Sequence, residues 1–361
     1  MSTSFFVLGY FGFGNAGDDS IGRATVQQLR RSTEGADIST VSANGEFDPG
    51  GNVRLIDFSF GAIAAAVWRA DELILTGGSH FHDERSSLAS LKVNVFYLLV
   101  VSVAILSSTN VHALGHGIGP LSRTSSRVLA SLVLRLAETV TVRDPESRKV
   151  ARNLGVDAKL TFDHAALLET NDLDHSTERL GVSVTPAFRK YHDSPDRDDQ
   201  LVADLATVLD DALDGDRWDG VTVFAFHNGD ANGDVLLSER LRRHMETTDV
   251  TVETYDDDPV AFLNSISSMD VFLGMKYHSL VFAYLTDVPV VSISYHPKCD
   301  WFQNYTKTDD SCATQMTNAS ESTLSELVAR LSDENGMCQA TLPRKRAEEL
   351  ASKSIKSAIN K

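Results

Sequence analysis

The sequence predicts an α/β protein of two tandem domains with a cleft between them, each built on a mostly parallel sheet. Three observations carry this. Short apolar runs alternate with helical segments along most of the chain, the pattern of repeated βαβ units. The apolar runs are continuous, such as FFVL and VPVVSIS, as strands buried on both faces require. Segments rich in Gly, His or Lys follow those runs directly, and open parallel sheets bind ligands just beyond the carboxyl ends of their strands.

In order, residues 5–10 form a strand, followed by a Gly/Asn/Asp loop and a helix over 19–31. A strand at 72–75 ends in Thr76-Gly77-Gly78-Ser79, and an apolar helix over 93–106 follows. The strand 110–114 ends in Gly115-His116-Gly117-Ile118-Gly119-Pro120. Then come a helix over 125–137, a strand at 139–142, a helix over 144–154 and a strand at 158–161. Residues 169–177 (ETNDLDHST) are polar and aperiodic and make the linker. The second series has strands at 180–184, 220–226, 250–254, 271–273 and 288–294. Its helices cover 199–213, 233–245 and 259–268, and helices at 320–332 and 342–359 close the chain. The division expected is an N-terminal domain over 1–170, a C-terminal domain over 178–335 and a C-terminal helical segment over 336–361. Packing of that segment back onto the N-terminal domain is one expectation for it.

Composition excludes some functions. The 361 residues carry a formal net charge of −17, which argues against nucleic-acid binding, since that needs a basic footprint. It also makes electrostatic attachment to anionic lipid unfavourable. Acids are 34 Asp and 16 Glu, bases 22 Arg and 11 Lys. That Asp-rich, Lys-poor balance suits a halophilic cytoplasm, where salt screens a large negative charge. Cys299, Cys312 and Cys338 lack CxxC spacing, so neither a zinc site nor a disulfide framework is expected. The N-terminus has no charged leader region. The apolar window 93–106 falls short of the about 20 residues that span a bilayer, so a buried helix, no transmembrane segment and a cytoplasmic location are expected.

Five constellations can carry chemistry. Gly9-Tyr10-Phe11-Gly12-Phe13-Gly14-Asn15-Ala16-Gly17-Asp18-Asp19 puts backbone N–H groups where an anion can approach a helix start. Asp18 or Asp19 capping that helix is an equal alternative, and the two can coexist. In Thr76-Gly77-Gly78-Ser79-His80-Phe81-His82-Asp83, two histidines two apart do not specify a metal, and Asp83 starting a helix accounts for the acid. His116, between two glycines, is read as exposed to the cleft, with a loop-bonded structural histidine as the competing account. Arg143 ends a strand and Asp144 caps the helix opened by Pro145. Arg143 suits a carboxylate or phosphate, or a nearby acid. Met275-Lys276-Tyr277-His278-Ser279 and Tyr295-His296-Pro297-Lys298 place cations and imidazoles after two buried strands, which suits an anionic, phosphorylated small molecule.

In this order, GYFGFGNAGDDSI, LILTGGSHFHDE, LGHGIGPLSR, VTVRDPES with NLGV, and FLGMKYHSLVFAYLTDVPVVSISYHPK resemble the polysaccharide pyruvyl transferase family. The resemblance spans Gly9 to Lys298. It implies two Rossmann-like domains facing across a cleft, similar to the GT-B glycosyltransferase architecture. It also implies transfer of the enolpyruvyl unit of phosphoenolpyruvate to a sugar, usually closing a pyruvate ketal, in cell-surface glycan or exopolysaccharide synthesis. The family's usual Arg-Leu-His reads Lys276-Tyr277-His278 here, its GQGIGP glutamine is His116, and its Tyr-Asp-Pro-Lys is Tyr295-His296-Pro297-Lys298.

On that resemblance, Lys276, Arg143, Lys298, His296 and Ser279 bind the donor on the C-terminal side. His278 is the general acid, and Asp18 or His116 is the base for the sugar hydroxyl. Gly14, Asn15, Gly17, Gly77, Gly78 and His82 form the acceptor side. The partners implied are phosphoenolpyruvate and a sugar, either lipid- or nucleotide-linked, and no metal or organic cofactor. A nucleotide-sugar-dependent glycosyltransferase on the same fold and a non-catalytic carbohydrate-binding relative are the rival readings.

Overall fold

Strand β1 (Ser4–Leu8) is buried on both faces from Phe5 onward, and parallel neighbours flank it on each side. The structure, a computed structural model, describes residues 3–78, 80–83, 86–169, 178–215, 217–229, 233–331 and 337–359. It divides into two compact units, the first holding residues 1–13, 17–169 and 344–361, the second 14–16 and 170–343. The expected linker lies, from residue 170 to 177, outside the described residues.

In the first unit β1 is followed by α1 (Ala16–Ser32), β2 (Asp37–Ser42), β3 (Arg54–Asp57), α2 (Phe60–Arg69) and β4 (Glu72–Thr76). Then come α3 (Ser87–Ser107), β5 (Asn110–His116), α4 (Thr124–Leu136), β6 (Thr139–Val142), α5 (Pro145–Asn153) and β7 (Lys159–Leu160). The sheet is parallel, ordered β3-β2-β1-β4-β5-β6-β7, so the winding direction reverses between β1 and β4. Sequence reading passed over β2, β3 and α2. In β2 the buried Ser39 and Thr40 break the apolar signal. Their hydroxyls donate to the carbonyls of Phe5 (3.4 Å) and Val7 (3.0 Å), which offsets the cost of burying them.

The second unit contains β8 (Arg179–Ser183), α6 (Pro195–Leu213), β9 (Gly220–Ala225), α7 (Asp234–His244), β10 (Val250–Thr254), α8 (Pro259–Ser267) and β11 (Val271–Gly274). It continues through α9 (Tyr277–Leu285), β12 (Val290–Ser294), α10 (Pro297–Thr306), β13 (Ala313–Gln315) and α11 (Glu321–Leu331). Its parallel sheet runs β10-β9-β8-β11-β12-β13, with the reversal between β8 and β11. Helix α9 escaped sequence reading because it is short and every one of its residues is buried, so it shows no amphipathic period.

The last helix, α12 (Arg344–Ile359), belongs to the first unit. Its buried Ala347, Ala351, Ser354, Ile355 and Ala358 recur three or four apart, one inward stripe of small residues. The Thr161 hydroxyl donates to Leu350 O (2.8 Å), and Ser354 Oγ lies 2.6 Å from Thr141 Oγ1.

Two expectations are corrected. Cys312 and Cys338 are joined in a disulfide, leaving Cys299 as a buried free thiol. Spacing alone missed the bond because 26 residues separate the partners in sequence, and the fold brings them together. The apolar helix is longer than 93–106: α3 has 21 residues, enough by length and composition to cross a membrane, and only a third of its apolar window is buried. It is a two-faced helix and not a buried one. Tyr97, Val100, Val101 and Ala104 pack into the core, while Leu88, Leu99 and Leu106 face outward.

Candidate functional site

Both reversals of strand order place loops where doubly wound sheets bind ligands. In the first unit the segments after β1, β4, β5 and β6 meet. The Asp19 carboxylate accepts from Gly12 N–H at 2.8 Å, so Asp19 acts from inside the first turn of α1 and holds the preceding loop. Asp18, also in that turn, is nine-tenths buried and lies against Gly78, where an added Cβ would come within 2.6 Å of its Oδ1. Gly77 takes a φ of +104°, a conformation glycine adopts without strain. Gly17 accepts from the Ser20 hydroxyl at 2.6 Å. Gly117 N–H donates to Gly78 O (3.1 Å) and Gly119 N–H to Phe81 O (2.7 Å), zipping the two loops together just before His82.

His116 is fully buried, not exposed, with Nε2 3.1 Å from Leu75 O. The loop-bonded alternative therefore holds. Burial, opposed by its backbone hydrogen bonds and reinforced by the Arg143 charge, lowers its pKa to about 4. The imidazole is neutral at physiological pH. His80 lies 5.7 Å away, ring to ring, and is pushed well below its ordinary value by burial, then by His116, His82 and Arg143.

Asp144 caps α5 as expected, accepting from Ser147 N–H at 2.6 Å, with Pro145 opening the helix. Arg143 is buried and pairs with Asp163 at 3.1 Å, and its guanidinium packs against Gly117. Its charge is paired within the unit. Asp83 does not begin a helix. Ser86 caps α3, and Asp83 Oδ2 accepts from Ser122 N–H and Oγ, both at 2.6 Å. Burial would raise the Asp83 pKa, but the hydrogen bonds from Ser122, Ser126 and Arg123 outweigh it and bring it to about 2.

Sequence reading missed His164, which follows Asp163 beyond β7. Its Nδ1 lies 3.3 Å from Thr25 Oγ1 and 3.2 Å from Thr76 Oγ1, its Nε2 3.0 Å from Ser354 Oγ. Burial, and next His116, lower its pKa to about 3. The signal was available: TFDHAA follows a strand just as the recognised loops do.

In the second unit Lys276 stands at the N-cap of α9 in extended backbone conformation, and its ammonium pairs with Asp234. Asp234 opens α7 and accepts from the Thr185 hydroxyl at 2.8 Å, so segments after β8, β9 and β11 are tied through one carboxylate. Neither Asp234 nor Thr185 stood out in the sequence. The Ser279 hydroxyl donates to Lys276 O (2.6 Å), serving the helix start. His278 is buried, edge-on to Tyr277 at 5.0 Å.

After β12, His296 caps α10 and its Nδ1 accepts from Lys298 N–H at 3.3 Å. The Lys298 ammonium stands 5.7 Å from the Tyr277 ring centre and 5.2 Å from that of Tyr295, within cation–π reach of both rings. Gly14 and Asn15 group with this unit. Gly14, at φ +69°, accepts from Asn228 N–H (3.0 Å), and Ala16 N–H donates to Phe226 O (3.0 Å). Thus the structure gathers Asp18, Gly17, Gly77, Gly78, His82, His116 and Arg143 in one unit. It gathers Lys276, His278, Ser279, His296, Lys298, Gly14 and Asn15 in the other. Among the described residues no group of three or more His, Cys, Asp and Glu is arranged to hold a metal ion.

The fold has known counterparts. A putative UDP-N-acetylglucosamine 2-epimerase from Listeria monocytogenes superposes with a TM-score of 0.66 at 9% identity, over 99% of this chain and 96% of that one. UDP-GlcNAc 2-epimerase from Methanocaldococcus jannaschii gives 0.65 at 8% identity over 100% of both chains. TcCGT1 in complex with UDP gives 0.57 at 13% identity, over 100% of this chain and 97% of that one. At these identities the likeness shows the fold alone. That fold is α/β with two Rossmann-like domains, of the GT-B kind, as expected. No curated protein matches the chain. A family model described as polysaccharide pyruvyl transferase matches residues 15–297.

Proposed function

The chain belongs to the polysaccharide pyruvyl transferase family, and on that premise we propose that it moves the enolpyruvyl unit of phosphoenolpyruvate onto a sugar of a glycan or glycan precursor, closing a pyruvate ketal. The observation that carries this reading is the strand-end cluster of the second unit. Lys276 and the buried His278 stand at the start of α9 after β11, and Lys298 stands in α10 after the adjacent strand β12.

Phosphoenolpyruvate brings a phosphate and a carboxylate, and each needs a positive partner. Lys298, seated beside the Tyr277 and Tyr295 rings, is the cation for one of them. Lys276, held by Asp234, supplies a fixed point for the other. His278 delivers a proton to the methylene carbon, which becomes a methyl group and leaves an oxocarbenium-like centre at C2. A sugar hydroxyl adds there and loses its proton to a base. The C2–O bond to phosphate then breaks, and a second hydroxyl closes the ketal as its own proton leaves. The products are the ketal and inorganic phosphate, and the step needs no metal or organic cofactor. Of the two bases considered, Asp18 keeps a small exposure whereas His116 has none and is held to a pKa of about 4, so the carboxylate is the base assigned.

The test is phosphate release from phosphoenolpyruvate in molar salt with a panel of nucleotide- and lipid-linked hexoses and hexosamines, comparing the unaltered protein with His278→Ala. Acceptor-dependent release that vanishes in the variant supports the reading. No release with any acceptor, together with binding of a nucleotide-sugar, moves the function to glycosyl transfer.

A further inference from the structure

Helices α2, α3 and α4 line one side of the first unit, α3 packed between the other two. Of the fourteen large apolar residues exposed among the described residues, eleven lie on these three helices. They fall in stripes. Leu88, Leu91, Val95 and Leu99 recur three or four apart on α3, as do Val128, Leu132 and Leu136 on α4, so each helix presents an apolar ridge outward as well as inward. Trp68, at the end of α2, is 60% exposed, and Leu106, at the end of α3, 75%. A patch of this extent is far larger than the scattered apolar residues of an ordinary surface.

The charge on this face is the second, independent observation. The three helices contain no Asp or Glu, in a chain with 50 acids and a net charge of −17. Their four charged residues, Arg69, Lys92, Arg127 and Arg135, are all basic and exposed, and of these Arg135 also donates to Leu154 O (3.0 Å). Of the acids that flank the helices, Asp57 before α2 and Glu138 after α4 are exposed at the edge of the face, and three others are hydrogen-bonded within the unit. Asp71 accepts from Ser4 (2.7 Å), Glu72 holds His112 (2.7 Å), and Asp83 accepts from Ser122.

We propose that this face docks the protein on an anionic lipid bilayer, its apolar stripes entering the headgroup boundary and its bases meeting the lipid phosphates. An amphipathic surface whose helices carry Trp, Leu and Lys/Arg but no acids is the kind that lies in a membrane interface. The chain does not cross: Tyr97, Val100, Val101 and Ala104 on the inner side of α3 are part of the core around β4 and β5. A second copy is the poorer occupant, because two such faces would set bases against bases. The net charge that disfavoured anionic lipid overall acts weakly here, since charges beyond about 8 Å are screened at physiological salt. The proposal does not depend on the transfer chemistry.

Sedimentation with vesicles tests it. The protein is expected to pellet with phosphatidylglycerol vesicles and at least about tenfold less with phosphatidylcholine vesicles, each base contributing about fivefold. Lys92→Glu with Arg127→Glu reverses two charges at exposed positions without touching the core, and should lose about tenfold or more of the binding. Leu99→Asp with Leu132→Asp should abolish it while far-ultraviolet circular dichroism stays native. Failure of the unaltered protein to pellet with phosphatidylglycerol overturns the proposal. So does a dimer in sedimentation equilibrium that Leu99→Asp dissociates, which would make the occupant a second copy.

Discussion

Asp234 holds the ammonium of Lys276 from the first turn of α7, and Thr185 in turn holds Asp234. The pair fixes where a cation stands beyond β11, so the carboxylate acts on binding through the lysine. Asp234→Ala strands a charge whose side chain is only 16% exposed. Removing one partner of a buried pair costs 3–5 kcal/mol, and partial exposure reduces this to about 2 kcal/mol. Urea denaturation should register that loss. The KM for phosphoenolpyruvate should rise more than kcat falls, whereas an equal loss of both would place Asp234 outside donor binding.

Gly78 leaves room for Asp18. A methyl group there would sit 2.6 Å from the Asp18 carboxylate, closer than van der Waals contact permits. Gly78→Ala should displace the acid and reduce kcat/KM by about tenfold or more, the scale expected when a catalytic group shifts by a fraction of an ångström to an ångström. Unchanged kinetics in a folded variant would remove Asp18 from the reaction.

Three imidazoles, those of His80, His116 and His164, are held neutral in the folded protein, chiefly by burial. Unfolded, each binds a proton near pH 6.5. Because the unfolded chain takes up more protons, stability is fully present above about pH 6.5 and falls as the pH drops below it. The loss contributed by His116 continues to about pH 4 and that by His164 to about pH 3. Denaturation measured across this range should show a slope of about 1.4 kcal/mol per pH unit for each proton. His164→Gln should flatten it, and a slope identical to that of the unaltered protein would contradict the burial of this ring.

Denatured protein should yield one titratable thiol before reduction and three after it, because Cys312 and Cys338 are paired and Cys299 is free. In the native state even Cys299 should be unreactive, its thiol pushed up to about 12 by burial. Closing a loop of this length stabilises a fold by about 3 kcal/mol, so reductant should lower the denaturation midpoint. Three thiols without reductant would exclude the bond.

Strand-end chemistry was legible in the sequence wherever a continuous apolar run met an unusual polar cluster. Gly77-Gly78, Arg143-Asp144, Lys276-Tyr277-His278 and His296-Pro297-Lys298 all stand beyond strands. Pairings between distant segments were not legible. Asp163 with Arg143, Asp234 with Lys276 and Ser354 with His164 join residues 20, 42 and 190 apart, and no local period marks them. His116 looked accessible between its glycines. The fold buries it because those same glycines let the loop close onto its neighbours. The outward face of α3 was hidden for the opposite reason: a helix apolar all round reads as core, and only its packing shows which side is covered.

The chain leaves the first unit at Glu169 and returns to it at Arg344, with Ser354 bonded to both Thr141 and His164. During synthesis the second unit is therefore complete before the first has its final helix. Domains ordinarily fold in the order in which they emerge from the ribosome, but here the earlier one must wait. Until α12 arrives, β5, β6 and the imidazole of His164 lack the partner they have in the folded protein. The residues of the N-terminal half therefore cannot complete their own core until residues 344–359 have been made.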